Sequence, residues 1–240
     1  MASDFLIEPK VWFGDWFRRQ IEENAHIEGH GFFSQQVKRV AARLQRDRRL
    51  DRRFEVLVPW LRARTAFTAP GRYIYVSRGL LERCPHDEAV AFVVAHEIAH
   101  YDLGHLEIFR GAFARHAAGL GAGRAMILFF RVLQKRIYSP QWECDADRRA
   151  IELCVRAGYD GDRCLEIFRT LELLSLDARD ISGVFGPDFD SHDVSSPEES
   201  VLTKVRFWLW QRSRGYLPLR DRWALARRHL ETIQVRSGVR

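Results

Sequence analysis

Three residues with catalytic potential lie together in the motif His96-Glu97-x-x-His100, within a segment of helical character over residues 87–100. Residues four apart on an α-helix share a face, so both imidazoles can bind one metal ion. Glu97 lies beside them, where its carboxylate can take a proton from a water molecule activated by that metal. The alternative is a helix with two solvent-facing histidines, but residues 89–95 are all apolar, which indicates a buried helix. This is the arrangement that a zinc peptidase requires.

A third protein ligand does not follow the motif closely. The metzincin pattern needs a glycine and a histidine at positions that hold Leu103 and Leu106, so that class is excluded. On a continuing helix His105 points away from the ligand face, and we interpret it as a helix-end residue or as an outer partner of a ligand. Glu107 is two helical turns beyond His100, about 10 Å along the axis, which is too far to share an ion.

The next carboxylate after Glu107 belongs to Glu143, which is followed four residues later by Asp147. On a helix these two share a face, so Glu143 can bind the metal while Asp147 accepts the outer N–H of a ligand histidine and fixes its tautomer. The alternative is an ordinary acidic first turn of a helix. The upstream motif lacks a nearer ligand, and this favours the metal site.

The combined motifs resemble the HtpX-like zinc metallopeptidases, which are gluzincins with HExxH and a downstream ExxxD. Their relatives include the CAAX-prenyl proteases and mitochondrial and periplasmic quality-control peptidases. The motifs that carry the resemblance are residues 65–81, Asp87-Glu88, His96 to His100, and Glu143 to Asp147. It extends from about residue 54 to about residue 197, and the chain departs from it at Thr65-Ala66-Phe67, where the family often has Asn-Ala-Phe.

The resemblance implies an α+β, zincin-like fold that is predominantly helical, with a small β-sheet edging the active-site cleft. It implies one Zn²⁺ per chain, bound by His96, His100 and Glu143, with Glu97 as the general base and Asp147 beside a ligand histidine.

Side chains of two kinds alternate along residues 54–58 and 72–76, which predicts a strand in each range. Pro70-Gly71 predicts a turn before the second strand. By resemblance, the second strand edges the cleft and pairs with an extended substrate. Its residues are Arg72, Tyr73, Ile74, Tyr75 and Val76.

A second catalytic candidate, His192, lies in a loop-like stretch over residues 181–200. By resemblance it stabilises the oxyanion or transiently binds the metal; the alternative is an exposed loop histidine. The family's Ser/Thr-His-Pro motif is here Ser191-His192-Asp193, and the arginine that usually follows is missing near Ser200.

The length of 240 residues, with 29% charged and 46% apolar residues, predicts one soluble domain over residues 1–240. We expect N-terminal helices over 1–50, a catalytic core over 54–200 and a basic, Trp/Arg-rich segment over 201–240. Further helices are predicted over residues 34–49 with Ser34 as N-cap, over 144–158 ending at Gly158, and over 162–176.

Several features bear on cellular location. No signal peptide is expected, and four cysteines without a C-x-x-C pair are typical of free thiols in a reducing compartment. The aromatic stripe within residues 12–21 favours core packing over a membrane anchor. HtpX-type proteins carry membrane spans where this chain has residues 117–133, but its longest apolar run there, 125–130, is too short to cross a bilayer. We expect no transmembrane segment and a cytoplasmic protein, peripheral at a membrane surface as the alternative.

Residues 201–240 hold ten basic side chains, Lys204 and nine arginines, against Asp221 and Glu231. Tryptophans and a tyrosine are interleaved with them. Such a segment can bind nucleic acid, an anionic membrane surface or an acidic protein. It can also form a packed terminal helix with a solvated basic face, which we favour.

Three functions are compatible with the sequence. The first is a zinc endopeptidase acting on protein or peptide substrates; the second is a regulatory peptidase activated through the basic segment by nucleic acid, lipid or a partner. The third is a non-catalytic zinc-binding module, and the intact Glu97 argues against it.

Overall fold

The computed structural model describes residues 15, 18–19, 21–23, 26–49, 52–62, 64–69, 71–105, 140–177 and 218–237. Over these residues the chain is mostly helical with one three-stranded sheet, which confirms the predicted α+β class. Outside the described residues lie His192 and its loop, residues 117–133 and 201–217, and most of the aromatic stripe within 12–21.

The elements follow one another in the order helix, three strands, then helices. They are α1 (Phe32–Leu44), β1 (Glu55–Leu57), β2 (Ala66–Ala69), β3 (Tyr73–Val76), α2 (Arg78–Leu81), α3 (Asp87–Asp102), α4 (Pro140–Arg156), α5 (Gly161–Asp177) and α6 (Leu219–Ser237). Both predicted strands and the predicted helices that correspond to α3, α4 and α5 are therefore present, with ends shifted by a few residues.

Strand β3 lies in the middle of the sheet. It pairs in parallel with β1, Val56 opposite Ile74, and antiparallel with β2, Thr68 opposite Ile74. The prediction that residues 72–76 pair with an extended substrate is therefore wrong, because both sides of β3 are already paired within the sheet. Arg72 is not part of the strand at all; it lies in the β2–β3 turn with φ of 64°.

Helix α1 begins two residues earlier than predicted and ends at Leu44. Its N-cap residue is Gly31, and the backbone N–H of Ser34 donates instead to the carboxylate of Glu28 at 2.9 Å. Ser34 is therefore an interior residue of the first turn, and Glu28 supplies the acceptor for its buried N–H group, which has no partner within the helix. The apolar face of α1 is buried; it comprises Val37, Val40, Ala41 and Leu44.

Helix α3 is the central element of the fold. Every residue from Ala89 to His100 is buried, and the helix contacts α1, α4, α5, β2 and β3. A helix that is apolar on all sides has no face for solvent, so it must be surrounded. Its first turn is stabilised by the acidic Asp87 and Glu88 and by the ring of His86, whose Nδ1 accepts the N–H of Ala89 at 3.3 Å.

Two helices end in the same way, with a glycine at positive φ. After α3, Gly104 (φ 71°) is followed by His105, whose N–H donates to the carbonyl of His100 at 3.0 Å. After α4, Gly158 (φ 79°) takes the corresponding position, as predicted from the sequence. This is the Schellman arrangement, in which the chain turns back sharply over the last helical turn.

The apolar core joins all of the larger elements. Its members include Val37 of α1, Ile74 of β3, Ala95 of α3, Ile151 of α4, Leu165 of α5 and Leu230 of α6. Ile21, from the predicted N-terminal stripe, is also buried, as that interpretation expected. Within the described part of the chain, no helix is long and apolar enough to cross a membrane. All four cysteines are free thiols.

Replacing Gly158 with alanine should destabilise the fold by about 1–2 kcal/mol, because a side chain at this φ is disfavoured by roughly that amount. The added Cβ would also lie 3.0 Å from a guanidinium nitrogen of Arg43, which donates to the Gly158 carbonyl. Gly29→Ala is the matched control, since nothing lies within 4 Å of its Cβ position. Urea unfolding measures the difference, and equal stability of the two variants would contradict this role of Gly158.

Candidate metal centre

The imidazoles of His96 and His100 face one another on α3. Their Nε2 atoms are 3.0 Å apart, and both side chains are buried. The four-residue spacing on a helix produces this approach, and the burial of α3 places both rings in the interior. Two imidazole nitrogens this close together can bind one cation when neither of them carries a hydrogen.

Helix α4 brings a carboxylate to the same point. One oxygen of Glu143 lies 3.5 Å from Nε2 of His96, and the other lies 3.5 Å from Nε2 of His100. A nitrogen from each histidine and a carboxylate oxygen all lie within 4.8 Å of one another. Glu143 is 1% exposed, so its charge needs a counter-charge close by. Two imidazoles and one carboxylate match the ligand preference of zinc, and three protein ligands leave a position open for water in catalytic sites.

The outer nitrogen of His96 is held by Asp147, one turn along α4 from Glu143. The Nδ1 atom of His96 lies 3.0 Å from Oδ1 of Asp147. A hydrogen on Nδ1, next to this carboxylate, leaves Nε2 with a lone pair for a metal ion. The structure thus brings together four of the residues singled out in the sequence, His96, His100, Glu143 and Asp147.

The outer nitrogen of His100 is held by His105. The two Nδ1 atoms are 2.9 Å apart, and the ring of His105 is stacked on that of Trp142 with an interplanar angle of 2°. With Nε2 of His100 bound to a metal ion, its Nδ1 would carry the hydrogen and donate it to His105. The turn at Gly104 makes this possible, because it ends the helix and directs the next residue back over the last turn.

The charges of the site favour a cation between the helices. Burial lowers the pKa of His96, but hydrogen bonds and charge interactions with Asp147 and Glu143 outweigh it and raise that pKa to about 9. The two carboxylates therefore stabilise positive charge at this point, whether a proton or a metal ion carries it. Burial lowers the pKa of His105, which keeps its ring neutral and able to accept the hydrogen from His100.

Glu97 is fixed by a threonine of strand β2. The hydroxyl oxygen of Thr68 lies 3.0 Å from a carboxylate oxygen of Glu97 and 2.9 Å from its backbone carbonyl oxygen. The hydroxyl can donate its hydrogen to either acceptor. Strand β2 therefore borders the site. In β3, by contrast, the hydroxyl group of Tyr73 donates to the carboxylate of Asp15 at 2.7 Å. Sequence reasoning included Thr68 in a family motif without giving it a role.

An arginine from the far end of the chain also enters the site. Arg222 of α6 donates through Nε and Nη2 to the two carboxylate oxygens of Asp147, each at 2.7 Å. Its Nη1 lies 3.1 Å from a carboxylate oxygen of Glu143. Sequence reasoning missed this residue, because it is one of nine arginines that were expected on the solvated face of a packed helix. The available signal was its spacing of four and eight residues from the apolar Ala226 and Leu230.

A buried His–His–Glu cluster with an adjacent carboxylate on the first ligand helix defines a class, the metal-dependent peptidases with an H-E-x-x-H helix. The chain belongs to peptidase family M48, which matches residues 30–203, more than half of its length. It is therefore a metallopeptidase by family, with peptides or proteins as its class of substrate. A comparison with curated proteins finds no match.

Removing the ring of His105 should weaken zinc binding by about 10–100-fold, the usual effect of losing an outer partner of a ligand histidine. The His105→Ala variant keeps both Nε2 ligands but loses the group that orients His100. Competition with a chromogenic chelator measures the affinity. His30→Ala, which removes an exposed histidine, is the control. Unchanged affinity in His105→Ala would show that His100 is oriented without it.

Proposed function

We propose that this chain is a zinc-dependent endopeptidase of zincin-like fold that uses Glu97 as general base. The observation that carries the proposal is the convergence of His96 Nε2, His100 Nε2 and the Glu143 carboxylate within 4.8 Å, with Glu97 next to His96 on the same buried helix. The alternative of a non-catalytic zinc module would need the same three ligands but would have no use for a carboxylate fixed beside them.

The reaction divides between the ion and the chain. When held by His96, His100 and Glu143, one zinc ion would polarise a peptide carbonyl and lower the pKa of water toward about 7. Glu97 accepts the proton of the attacking water and returns it to the amine nitrogen as the peptide bond breaks. The Thr68 hydroxyl keeps the carboxylate of Glu97 in place for both transfers.

The substrate approaches the site beside β2 in this proposal. Strand β3, to which the sequence assigned substrate pairing, is enclosed by β1 and β2, so that role is not retained for residues 72–76. Through Thr68, β2 contacts the general base directly. The resemblance gives His192 a role in stabilising the oxyanion, and we keep it as part of the proposal although the residue lies outside the described part of the chain.

The C-terminal segment has two proposed roles with different support. The part of it that the structure describes, residues 218–237, includes α6, which packs on α4 and α5 and inserts Arg222 beside Glu143. This supports the packed-helix interpretation over a free basic tail. Within the described residues, binding of nucleic acid, anionic lipid or an acidic protein has no comparable contact in its favour, and a cytoplasmic location rests on the sequence alone.

Replacing the general base should separate metal binding from catalysis. In Glu97→Gln the three ligands are intact, so we expect one zinc per chain, while peptide cleavage falls by about 10²–10⁴-fold because no carboxylate accepts the proton. Zinc content by mass spectrometry and cleavage of unfolded casein are the two measurements. The control is Glu82→Gln, which also removes one negative charge but does so at an exposed carboxylate. Full activity in Glu97→Gln would exclude Glu97 as the base.

The hydrogen bond between Thr68 and Glu97 should contribute to turnover and not to metal binding. Loss of one hydrogen bond to a charged group costs about 1.5 kcal/mol, so Thr68→Val should lower kcat about tenfold at unchanged zinc content. Thr68→Ser keeps the hydroxyl and should retain most of the activity. A kcat for Thr68→Val equal to that of the unmodified protein would mean that Glu97 is positioned by other contacts.

A further inference from the structure

The face of α6 that packs against the protein carries one charged residue in line with apolar ones. Ala226 and Leu230 follow Arg222 at intervals of four residues, and all three are buried. The helix packs on α4 and α5, and His229 adds a contact at 2.9 Å with Glu152 of α4. The apolar packing therefore places the guanidinium of Arg222 in the interior, at a fixed position along α4.

The guanidinium meets two carboxylates that the metal site depends on. Glu143 and Asp147 are each 1% exposed and lie one turn apart on α4. Buried like charges at this spacing repel one another and are costly to remove from water unless a cation lies between them. Arg222 occupies that position with three different nitrogens, two toward Asp147 and one toward Glu143.

The geometry of these contacts fixes the direction of both carboxylates. Because Arg222 holds both oxygens of Asp147, the carboxylate plane is set, and its Oδ1 is also the atom 3.0 Å from Nδ1 of His96. Nη1 of Arg222 contacts Oε2 of Glu143, and Oε1 of that residue lies 3.5 Å from Nε2 of His100. A planar five-donor fork can make this set of contacts, and a single ammonium group cannot.

We propose that Arg222 is a positioning residue of the metal centre, which orients Glu143 directly and His96 through Asp147. The inference rests on the proposed function, since it assumes that Glu143 binds the metal. It goes beyond the family assignment, because the family match ends at residue 203 and Arg222 lies on a helix beyond it. The complete metal site of this chain therefore needs a C-terminal helix that the family match does not contain.

Charge and geometry act in opposite directions on a bound cation, which allows the two to be separated. The positive charge of Arg222 repels a metal ion, so its removal alone would strengthen metal binding. Its fork holds the ligands in place, so loss of the fork weakens binding. Arg222→Lys keeps the charge without the fork, and Arg222→Met removes both at similar length.

The experiment measures zinc affinity of the full chain by competition with a chromogenic chelator, with circular dichroism of the metal-free proteins as the test of folding. We expect Arg222→Lys and Arg222→Met each to bind zinc about tenfold or more weakly, as for other outer partners of ligands. Arg228→Met removes an exposed arginine from the same helix and should leave the affinity unchanged. The absorption spectrum of the Co²⁺-substituted protein should change in the Arg222 variants and not in this control.

A second comparison distinguishes the loss of this specific contact from a general loss of stability. Asp147→Asn should weaken zinc binding less in the Arg222→Met background than in the unmodified chain, because both substitutions break the same contact. Affinity equal to the unmodified protein in Arg222→Lys, or fully additive effects in the double variant, would overturn the inference alone. Failure of the unmodified chain to bind zinc would instead overturn the proposed function on which it rests.

Discussion

The burial of two carboxylates on one face of α4 is the constraint on which the rest of the site depends. Glu143 and Asp147 are removed from water almost completely, and this is stable only if positive charge and hydrogen-bond donors surround them. Helix α3 supplies two imidazoles on one side, and α6 supplies a guanidinium on the other. The three helices are held together by the apolar core, and each of them supplies charged groups that partner the others at this point.

The packing of α3 determines the chemistry that these groups can perform. Because the helix is apolar on every side, it lies in the centre of the protein and carries its histidines and Glu97 into an environment of low dielectric constant. There, hydrogen bonds such as those from Thr68 to Glu97 and between His100 and His105 are stronger than at a surface. Groups oriented in advance in this way do not need to reorganise during the reaction, which is the largest advantage that an enzyme site has over water.

The parts of this arrangement that follow from local spacing could be predicted from the sequence, and the parts that need distant pairing could not. The four-residue intervals from His96 to His100 and from Glu143 to Asp147 placed each pair on one helix face. The position of His105 needed the positive φ of Gly104, a signal that was present but was not used. The order of the strands, which encloses β3, and the contact of Arg222 with Asp147, 75 residues away, depend on tertiary packing and have no local pattern that fixes them.

The proposed activity requires that two imidazoles of α3 and one carboxylate of α4 bind a single zinc ion. Crystals of the zinc-loaded chain, measured on both sides of the zinc absorption edge, test it directly. We expect one anomalous peak per chain, with His96 Nε2, His100 Nε2 and a Glu143 oxygen at about 2.0–2.2 Å from it. A peak elsewhere, or a zinc ion at the two histidines with Glu143 directed away, would contradict it.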